Sequence, residues 1–271
     1  MIQISGLTLS YGPKVLARDI SFHISPGECL LLAGRNGCGK STLLRVLASV
    51  VASDIYSEIH GHPRPCKREG PTALADGGQS CMPGEACRDG RGRSEAEAIS
   101  EYMPDAPAKF VLIPTNIPKV KGFTLEEFVR TGCFRESNWA GRLNTQTEKR
   151  LQEALKVLGL QAQAGQDIST LSDGEFQKAC IAVGLTRQAD VLLLDEPTAF
   201  LDVENRLMVL ETLRKVADDT GMAVLFSSHD LHDSLRVASR VLAFTPDGTF
   251  LESAPDNMAQ ILQAAFPNLT I

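Results

Sequence analysis

The stretch GRNGCGKST at residues 34–42 constrains the fold of this chain more than any other feature. It follows CLLLAG (29–34), an unbroken apolar run that is typical of a central strand covered on both faces. It precedes leucines and valines spaced as on a helix that begins near Ser41. A strand, a glycine-rich loop and a helix in this order match the P-loop pattern, which predicts a site for a nucleoside triphosphate.

Phosphate binding explains why these residue types are needed. Glycines let backbone N–H groups turn inward around phosphate oxygens, and the positive end of the following helix attracts the same anion. Lys40 supplies a charge toward the β- and γ-phosphates, and the Ser41 hydroxyl suits Mg²⁺. The predicted binding residues are Gly34, Arg35, Asn36, Gly37, Cys38, Gly39, Lys40, Ser41 and Thr42.

Hydrophobic patterning predicts the rest of the fold. VLLLDE (191–196) and AVLFSSHD (223–230) are further unbroken apolar strands, and helical periodicity lies between them. Near-alternating apolar residues at 2–9 and 20–24 predict an antiparallel β layer. VLAFTPDGTFLES predicts a hairpin that turns at Pro246-Asp247-Gly248. We therefore expect an α/β fold with a mainly parallel central sheet, in a single domain over residues 1–271.

Two of these strands end in residues suited to hydrolysis. Asp195 and Glu196 would lie at the carboxyl edge of the sheet, where open α/β folds bind ligands. Asp195 is predicted to hold Mg²⁺, and Glu196 to orient and deprotonate the attacking water. His229 ends a strand on the same edge, which favours a polar contact to the γ-phosphate.

LSDGE at residues 171–175 predicts a second helix start able to hold an anion. Ser172 is a good N-cap, and Glu175 stands three residues later, where a capping box requires it. The free N–H groups of such a helix end attract anions.

Composition excludes several classes of protein. The net charge of −6 argues against a nucleic-acid binder. No apolar run approaches the roughly 20 residues of a membrane span, and the N-terminal sequence does not resemble a signal peptide. Seven scattered cysteines without CxxC spacing favour a reducing, cytoplasmic compartment.

The segment at about 53–108 does not fit this pattern. It is rich in Gly, Pro, Arg and small residues, which predicts a long, partly disordered surface insertion. Five potential metal or redox ligands fall within it, but their irregular spacing favours solvated loop residues. They are His60, His62, Cys66, Cys81 and Cys87.

The order GRNGCGKST, LSDGE, VLLLDE, TAFLD and FSSHD resembles the nucleotide-binding subunit of an ABC transporter. The resemblance implies the P-loop NTPase fold, a helical signature subdomain at about 116–188, and ATP with Mg²⁺ as cofactors. In this family two cassettes pack head to tail, so that each ATP lies between the P-loop of one and the signature of the other. By resemblance, Ser172, Gly174 and Glu175 act on the ATP of a second copy in a homodimer. Tyr11 would stack on adenine, and Asp202 would lie in the loop that crosses the dimer axis.

The resemblance also implies partners and a place in the cell. The subunit would bind integral membrane permease subunits and lie on the inner face of the membrane through them. The stretch FTLEEFVRTGCFRESNWAGRLNTQTEKR is similar to importers of ferric siderophores, haem and cobalamin, which act with a substrate-binding protein. Three alternatives stay open: an exporter, a non-transport ABC ATPase acting on ribosomes or DNA, and a slowly hydrolysing, ATP-gated assembly module.

Two residues depart from the family pattern. Asp173 stands in the signature where glycine is more usual, and Thr115 stands where a glutamine usually contacts Mg²⁺ and the attacking water. A threonine is too short to make both of these contacts and to relay nucleotide state to the permease. We therefore expect intact ATP binding with slower hydrolysis or weaker coupling.

Overall fold

The computed structural model describes residues 1–11, 14–51, 108–138 and 142–267. In these residues the strands are β1 (Ile2–Tyr11), β2 (Lys14–Ile24), β3 (Cys29–Ala33), β4 (Phe110–Ile113), β5 (Val191–Leu194), β6 (Ala223–Ser227), β7 (Arg240–Phe244) and β8 (Phe250–Glu252). Six of these described strands form the central sheet in the order β4-β5-β6-β3-β7-β8, and β1 and β2 form a separate antiparallel pair.

The α-helices of the described residues alternate with the strands along much of the chain, and most of them directly follow a strand. They are α1 (Lys40–Val51), α2 (Leu125–Arg130), α3 (Thr145–Val157), α4 (Asp173–Thr186), α5 (Val203–Thr220), α6 (Leu231–Leu235) and α7 (Met258–Ala265). Short 3₁₀ turns cover Thr131–Glu136, Gln161–Gln163 and Ile168–Thr170. The expected helix after the P-loop begins one residue earlier than Ser41, at Lys40.

The apolar strands are buried on both faces, which explains why they read as unbroken runs. In β3, Leu30 and Leu32 pack into one core with α1 and the β1–β2 pair. Leu31 packs into the other core, together with residues of α3, α4 and α5. Strands β4, β5, β6, β3 and β7 pair in parallel, so their carboxyl ends meet at one edge. The predicted α/β class, with its mainly parallel sheet and N-terminal antiparallel layer, is confirmed.

Arg240 ties the antiparallel layer to this sheet. Its side chain is nearly buried and binds Glu28 at 2.8 Å, Glu252 of β8, and the His23 carbonyl of β2 at 2.8 Å. Because three segments share one guanidinium, β2 is held beside β7 and β8.

The predicted hairpin also forms, because β7 and β8 are antiparallel and Gly248 has a φ of 84° in the turn. The insertion predicted at 53–108, with its histidines and cysteines, lies outside the described residues except for Ala108 at its end. The subdomain division at about 116–188 stays a prediction.

Candidate active site

The P-loop closes around the side chain of Lys40. The Lys40 ammonium donates to the carbonyl oxygens of Gly34 at 2.8 Å and Arg35 at 3.3 Å, and the residue is only 5% exposed. Gly34 (φ 151°) and Gly39 (φ 115°) take backbone angles that favour glycine. A Cβ would lie 2.6 Å from the Cys38 sulfur at Gly34, and 2.9 Å from Leu9 Cδ2 at Gly39. The tight curl of the loop therefore depends on both glycines.

A chain of hydrogen bonds joins the P-loop to the ends of β5 and β6. Ser41 Oγ donates to Asp195 Oδ1 at 3.0 Å, and Ser227 Oγ donates to the same oxygen at 2.9 Å. The Glu196 N–H in turn donates to Ser227 Oγ at 2.9 Å. Ser227 is fully buried and Asp195 is 8% exposed, so these contacts form largely away from water.

Glu196 and His229 face each other at the same edge. Glu196 Oε1 lies 2.5 Å from His229 Nε2, and both side chains are partly exposed. Glu196 has a φ of 49°, a left-handed conformation that costs a non-glycine residue about 1 kcal/mol or more. The hydrogen bond from its N–H to Ser227 helps to hold that conformation.

Glu196, His229 and the P-loop line one cleft of about 650 Å³. Nine of the residues predicted to bind nucleotide or to act in catalysis line it: Tyr11, Asn36, Gly37, Gly39, Lys40, Ser41, Thr42, Glu196 and His229. Lys14 and Leu16 of β2 also line the cleft, although no motif predicted them. Arg35 and Cys38 lie on an adjoining cavity formed with the turn at 246–248, and Gly34 is buried.

The signature turn forms as predicted. Ser172 Oγ accepts the Glu175 N–H at 3.2 Å, and the Ser172 N–H donates to Glu175 Oε2 at 2.9 Å. The Ser172 N–H and the Ser172 hydroxyl, the latter at 2.8 Å, both donate to Glu175 Oε2, and these two bonds hold the pKa of the Glu175 carboxyl below its usual range. Gly174 is buried, and the Asn205 side chain of α5 approaches it closely. A Cβ at Gly174 would lie 2.4 Å from that side chain. The capping box is thus built into the packing of α4 on α5.

Ser172 and Asp202 line a second, separate cleft of about 430 Å³. Asp202 caps α5 by accepting the Asn205 N–H at 2.8 Å. The lining of this cleft shares no residue with the P-loop cleft. Within one chain, then, the P-loop, Glu196 and His229 line one cleft, and Ser172 of the signature lines another.

Thr115 follows β4 by two residues at the same sheet edge, where the Asp195 N–H donates to the Ile113 carbonyl at 3.0 Å. It is partly buried and does not line either cleft.

The oxygen donors at Ser41 and Asp195 fit Mg²⁺. A hydroxyl and a carboxylate 3.0 Å apart offer the hard oxygen ligands that Mg²⁺ prefers, and Mg²⁺ commonly takes its other ligands from substrate phosphates and water. The chemistry of the donor set therefore agrees with the sequence prediction.

Comparison with known proteins identifies the family. Residues 17–199, more than half of the chain, match the ABC transporter family. The chain belongs to the ABC transporter family. It is an ABC ATPase, as the sequence predicted.

Three curated relatives of this ABC ATPase match along most of their length. The iron(3+)-hydroxamate import ATP-binding protein FhuC of Bacillus subtilis is 29% identical, over 95% of this chain and 86% of that protein. The achromobactin transport ATP-binding protein CbrD of Dickeya dadantii is 30% identical, with coverage of 96% and 83%. The phosphonates import ATP-binding protein PhnC 2 of Pseudomonas syringae pv. syringae is also 30% identical, with coverage of 98% and 87%.

Solved structures confirm the fold. A chain of a metal-chelate type ABC transporter in an inward-facing conformation superposes with a TM-score of 0.72 at 22% identity, covering 98% of this ABC ATPase and 88% of that chain. A nucleotide-free ATP-binding cassette gives 0.67 at 16% identity, covering 100% and 99%. Among the residues described, no helix combines the length and apolar character needed to cross a bilayer.

Ser227 is a further site residue that sequence reasoning missed. It lies in FSSHD, two residues before His229, and the polar run at the end of an apolar strand was a signal for it. Its role depends on contacts to Asp195 and Glu196, more than 30 residues away, which a local motif does not show.

Proposed function

We propose that this ABC ATPase hydrolyses Mg²⁺-bound ATP as a homodimer and powers an importer of an iron chelate, haem or cobalamin. The observation that carries the mechanism is the arrangement of Lys40, Ser41, Glu196 and His229 around one cleft while Ser172 lines another. The binding site of an ATP in the first cleft would be completed by the signature residues of a second copy.

Each residue has a role that follows from its position. The N–H groups of the P-loop and the Lys40 ammonium bind the phosphates, and the Tyr11 ring, which also lines the cleft, stacks on adenine. Mg²⁺, held by Ser41 and Asp195, would neutralise charge on the phosphates.

Glu196 orients water and accepts its proton. His229 lies within hydrogen-bond distance of Glu196 and lines the same cleft, which supports a contact from His229 to the γ-phosphate.

Exposed apolar side chains beside the second cleft support the dimer. Phe200 is 85% exposed and Val203 is 62% exposed, and Phe200 lines that cleft with Ser172 and Asp202. Apolar groups at this position lose contact with water when a second copy covers them. Because the same surface would be used twice across a two-fold axis, one interface would complete two ATP sites.

The import class rests on the named relatives. FhuC and CbrD are named for iron(3+)-hydroxamate and achromobactin, and the stretch 123–150 gave the same indication. PhnC 2, however, is named for phosphonates at a similar identity. The cargo is chosen by the permease and by a substrate-binding protein. This subunit would lie on the inner face of the membrane through the permease.

An ATPase assay with Glu196→Gln tests the mechanism. The substitution keeps the shape of the side chain but removes the base, so we expect kcat to fall by about 10²- to 10⁴-fold while ATP binding persists. The variant should also trap an ATP-dependent dimer on size-exclusion chromatography. Unchanged kcat, or no ATP-dependent dimer in either protein, would overturn the mechanism.

Uptake by cells tests the cargo. Cells lacking the gene should lose accumulation of ⁵⁵Fe supplied as a ferric hydroxamate, and wild-type protein but not Lys40→Ala should restore it. Normal ferric hydroxamate, haem and cobalamin uptake would contradict the import class. Loss of efflux of a toxic compound would favour an exporter.

Thr115 favours one second candidate, the slowly hydrolysing assembly module. We expect Thr115→Gln to raise kcat severalfold with little change in KM, because the family resemblance implies that a glutamine at this position contacts the Mg²⁺ and the attacking water. Steady-state ATPase rates, with the permease present, measure this. If the wild type already turns over at the rate of Thr115→Gln, the threonine has no such effect, and the slow-hydrolysis proposal falls.

A further inference from the structure

Lys119 makes three contacts with the signature turn from a different segment of the chain. Its ammonium donates to the Leu171 carbonyl at 2.7 Å and to Asp173 Oδ1 at 2.7 Å. It also lies 5.5 Å from the centroid of the Phe176 ring, within cation–π range. Leu171 and Asp173 are the neighbours of Ser172 on either side, so one cation binds the backbone carbonyl before the N-cap residue and the side chain after it.

We propose that Lys119 is a positioning residue that holds the signature turn and offsets the charge of Asp173. The inference rests on the proposed function, in which the phosphates of ATP approach this turn from a second copy. The turn carries two carboxylates, Asp173 and Glu175, at a helix end that must accept an anion. A carboxylate close to a triphosphate costs binding energy unless a cation compensates for it.

The two carboxylates are compensated differently. Glu175 is bound by the N–H and hydroxyl of Ser172 and by Gln163 Nε2, and Lys178 adds to its stabilisation. Asp173 is 69% exposed on the surface that bears the second cleft, and its ion pair is with Lys119. Lys119 therefore provides the opposite charge for Asp173, the aspartate that stands in place of the usual glycine.

Lys119 also connects two parts of the machinery. It lies four residues after Thr115, in the segment between β4 and α2, and its side chain is 26% exposed. Because the ammonium is hydrogen-bonded to the signature turn, a displacement of this segment is transmitted to Ser172 through Leu171 and Asp173.

The first test compares Lys119→Met with Lys121→Met. Lys121 is exposed and faces Asp167, so it is a matched control for the loss of one charge. We expect Lys119→Met to raise the KM for ATP roughly three- to tenfold, with a smaller change in kcat, because the turn loses a hydrogen bond and its compensating charge. Lys119→Arg should recover most of the affinity, and Lys121→Met should behave as wild type.

A double-mutant cycle tests the charge argument. If Lys119 offsets Asp173, removing the lysine from an Asp173→Gly background should raise KM by less than about twofold. An equal loss in both backgrounds, or no effect of Lys119→Met in the wild-type background, would overturn the proposal.

Amide hydrogen exchange of the nucleotide-free chain separates this proposal from the proposed function. Peptides covering residues 171–177 should exchange faster in Lys119→Met than in wild type, and Lys119→Arg should restore protection. Unchanged exchange would overturn the positioning role of Lys119 even if the wild type hydrolyses ATP. Conversely, a wild type without ATPase activity or dimer formation would refute the proposed function and leave this readout decisive for Lys119.

Discussion

At the scale of single residues, Ser227 organises both acidic side chains of the site. Its hydroxyl donates to Asp195 and accepts the N–H of Glu196. One buried hydroxyl thus sets the position of the carboxylate proposed to bind Mg²⁺ and the left-handed backbone of the proposed base. Holding catalytic groups in the geometry that the reaction requires raises the rate of ATP hydrolysis.

Ser227→Ala should reduce kcat by roughly 10- to 100-fold, because Glu196 loses the partner of its N–H. The free energy of unfolding should fall by about 1–3 kcal/mol, since a buried N–H is left without an acceptor. Ser228→Ala is the matched control, because Ser228 is equally buried but bonds to the backbone of Asp230. ATPase kinetics and urea denaturation measure both effects, and equal kcat values for the two variants would contradict this role.

Two buried thiols make stability depend on alkaline pH. Burial raises the pKa of the Cys29 thiol, and likewise that of Cys180, from 9.0 to about 12. Above pH 9 the unfolded chain releases these protons while the folded chain keeps them, so stability falls as pH rises toward 12.

Each thiol should contribute up to about 1.4 kcal/mol per pH unit to this decline. Urea denaturation with reductant at pH 8.5 and 10.5 should therefore show a steeper loss for wild type than for a Cys29→Ala/Cys180→Ala variant. Other groups that titrate in this range are common to both proteins and cancel in the comparison. Parallel declines would show that the thiols are not held protonated.

At the scale of elements, α4 connects the signature to β5, the strand that ends beside Asp195 and Glu196. It starts at the capping box, and Gly184 near its end packs on Leu192 of β5, the strand that leads to Asp195. A Cβ at Gly184 would lie 2.4 Å from Leu192 Cδ1, and Leu192 is fully buried. The close approach of helix and strand therefore depends on this glycine.

Gly184→Ala should lower the free energy of unfolding by about 1–3 kcal/mol, because the core must shift to admit the methyl group. Gly165→Ala, where a Cβ would meet nothing within 4 Å, should change it by less than about 0.5 kcal/mol. Thermal denaturation of the two variants provides the comparison. Equal stability of both would mean that α4 adjusts freely on β5.

The elements differ in how far the sequence predicted them. β3, β5 and β6 were predicted because strands buried on both faces need apolar residues throughout, and the two Leu of β3 that face one core alternate with one that faces the other. The P-loop and the capping box were predicted because their bonds form within a few residues. The contacts of Ser227 with Asp195 and of Lys119 with Asp173 span 32 and 54 residues, and only the tertiary structure brings them together.

At the scale of the whole molecule, the important feature is the separation of two clefts on one chain. The P-loop cleft contains the groups proposed for phosphate binding and hydrolysis, and the second cleft is lined by Ser172 and Asp202 beside the exposed Phe200. In the proposed dimer, each monomer would contribute two half-sites. Two copies related by a two-fold axis would join each P-loop to the signature of the other.

Mixing two inactive subunits tests this shared site most directly. Lys40→Ala destroys one half-site and Ser172→Arg the other, so a mixed pair keeps one site in which both halves are intact. With differently tagged subunits shown to pair, we expect an equal mixture to recover about a quarter of the wild-type ATPase rate, since half of the pairs are mixed and each has one of two sites. A mixture no more active than either variant alone would contradict an ATP site formed by two chains.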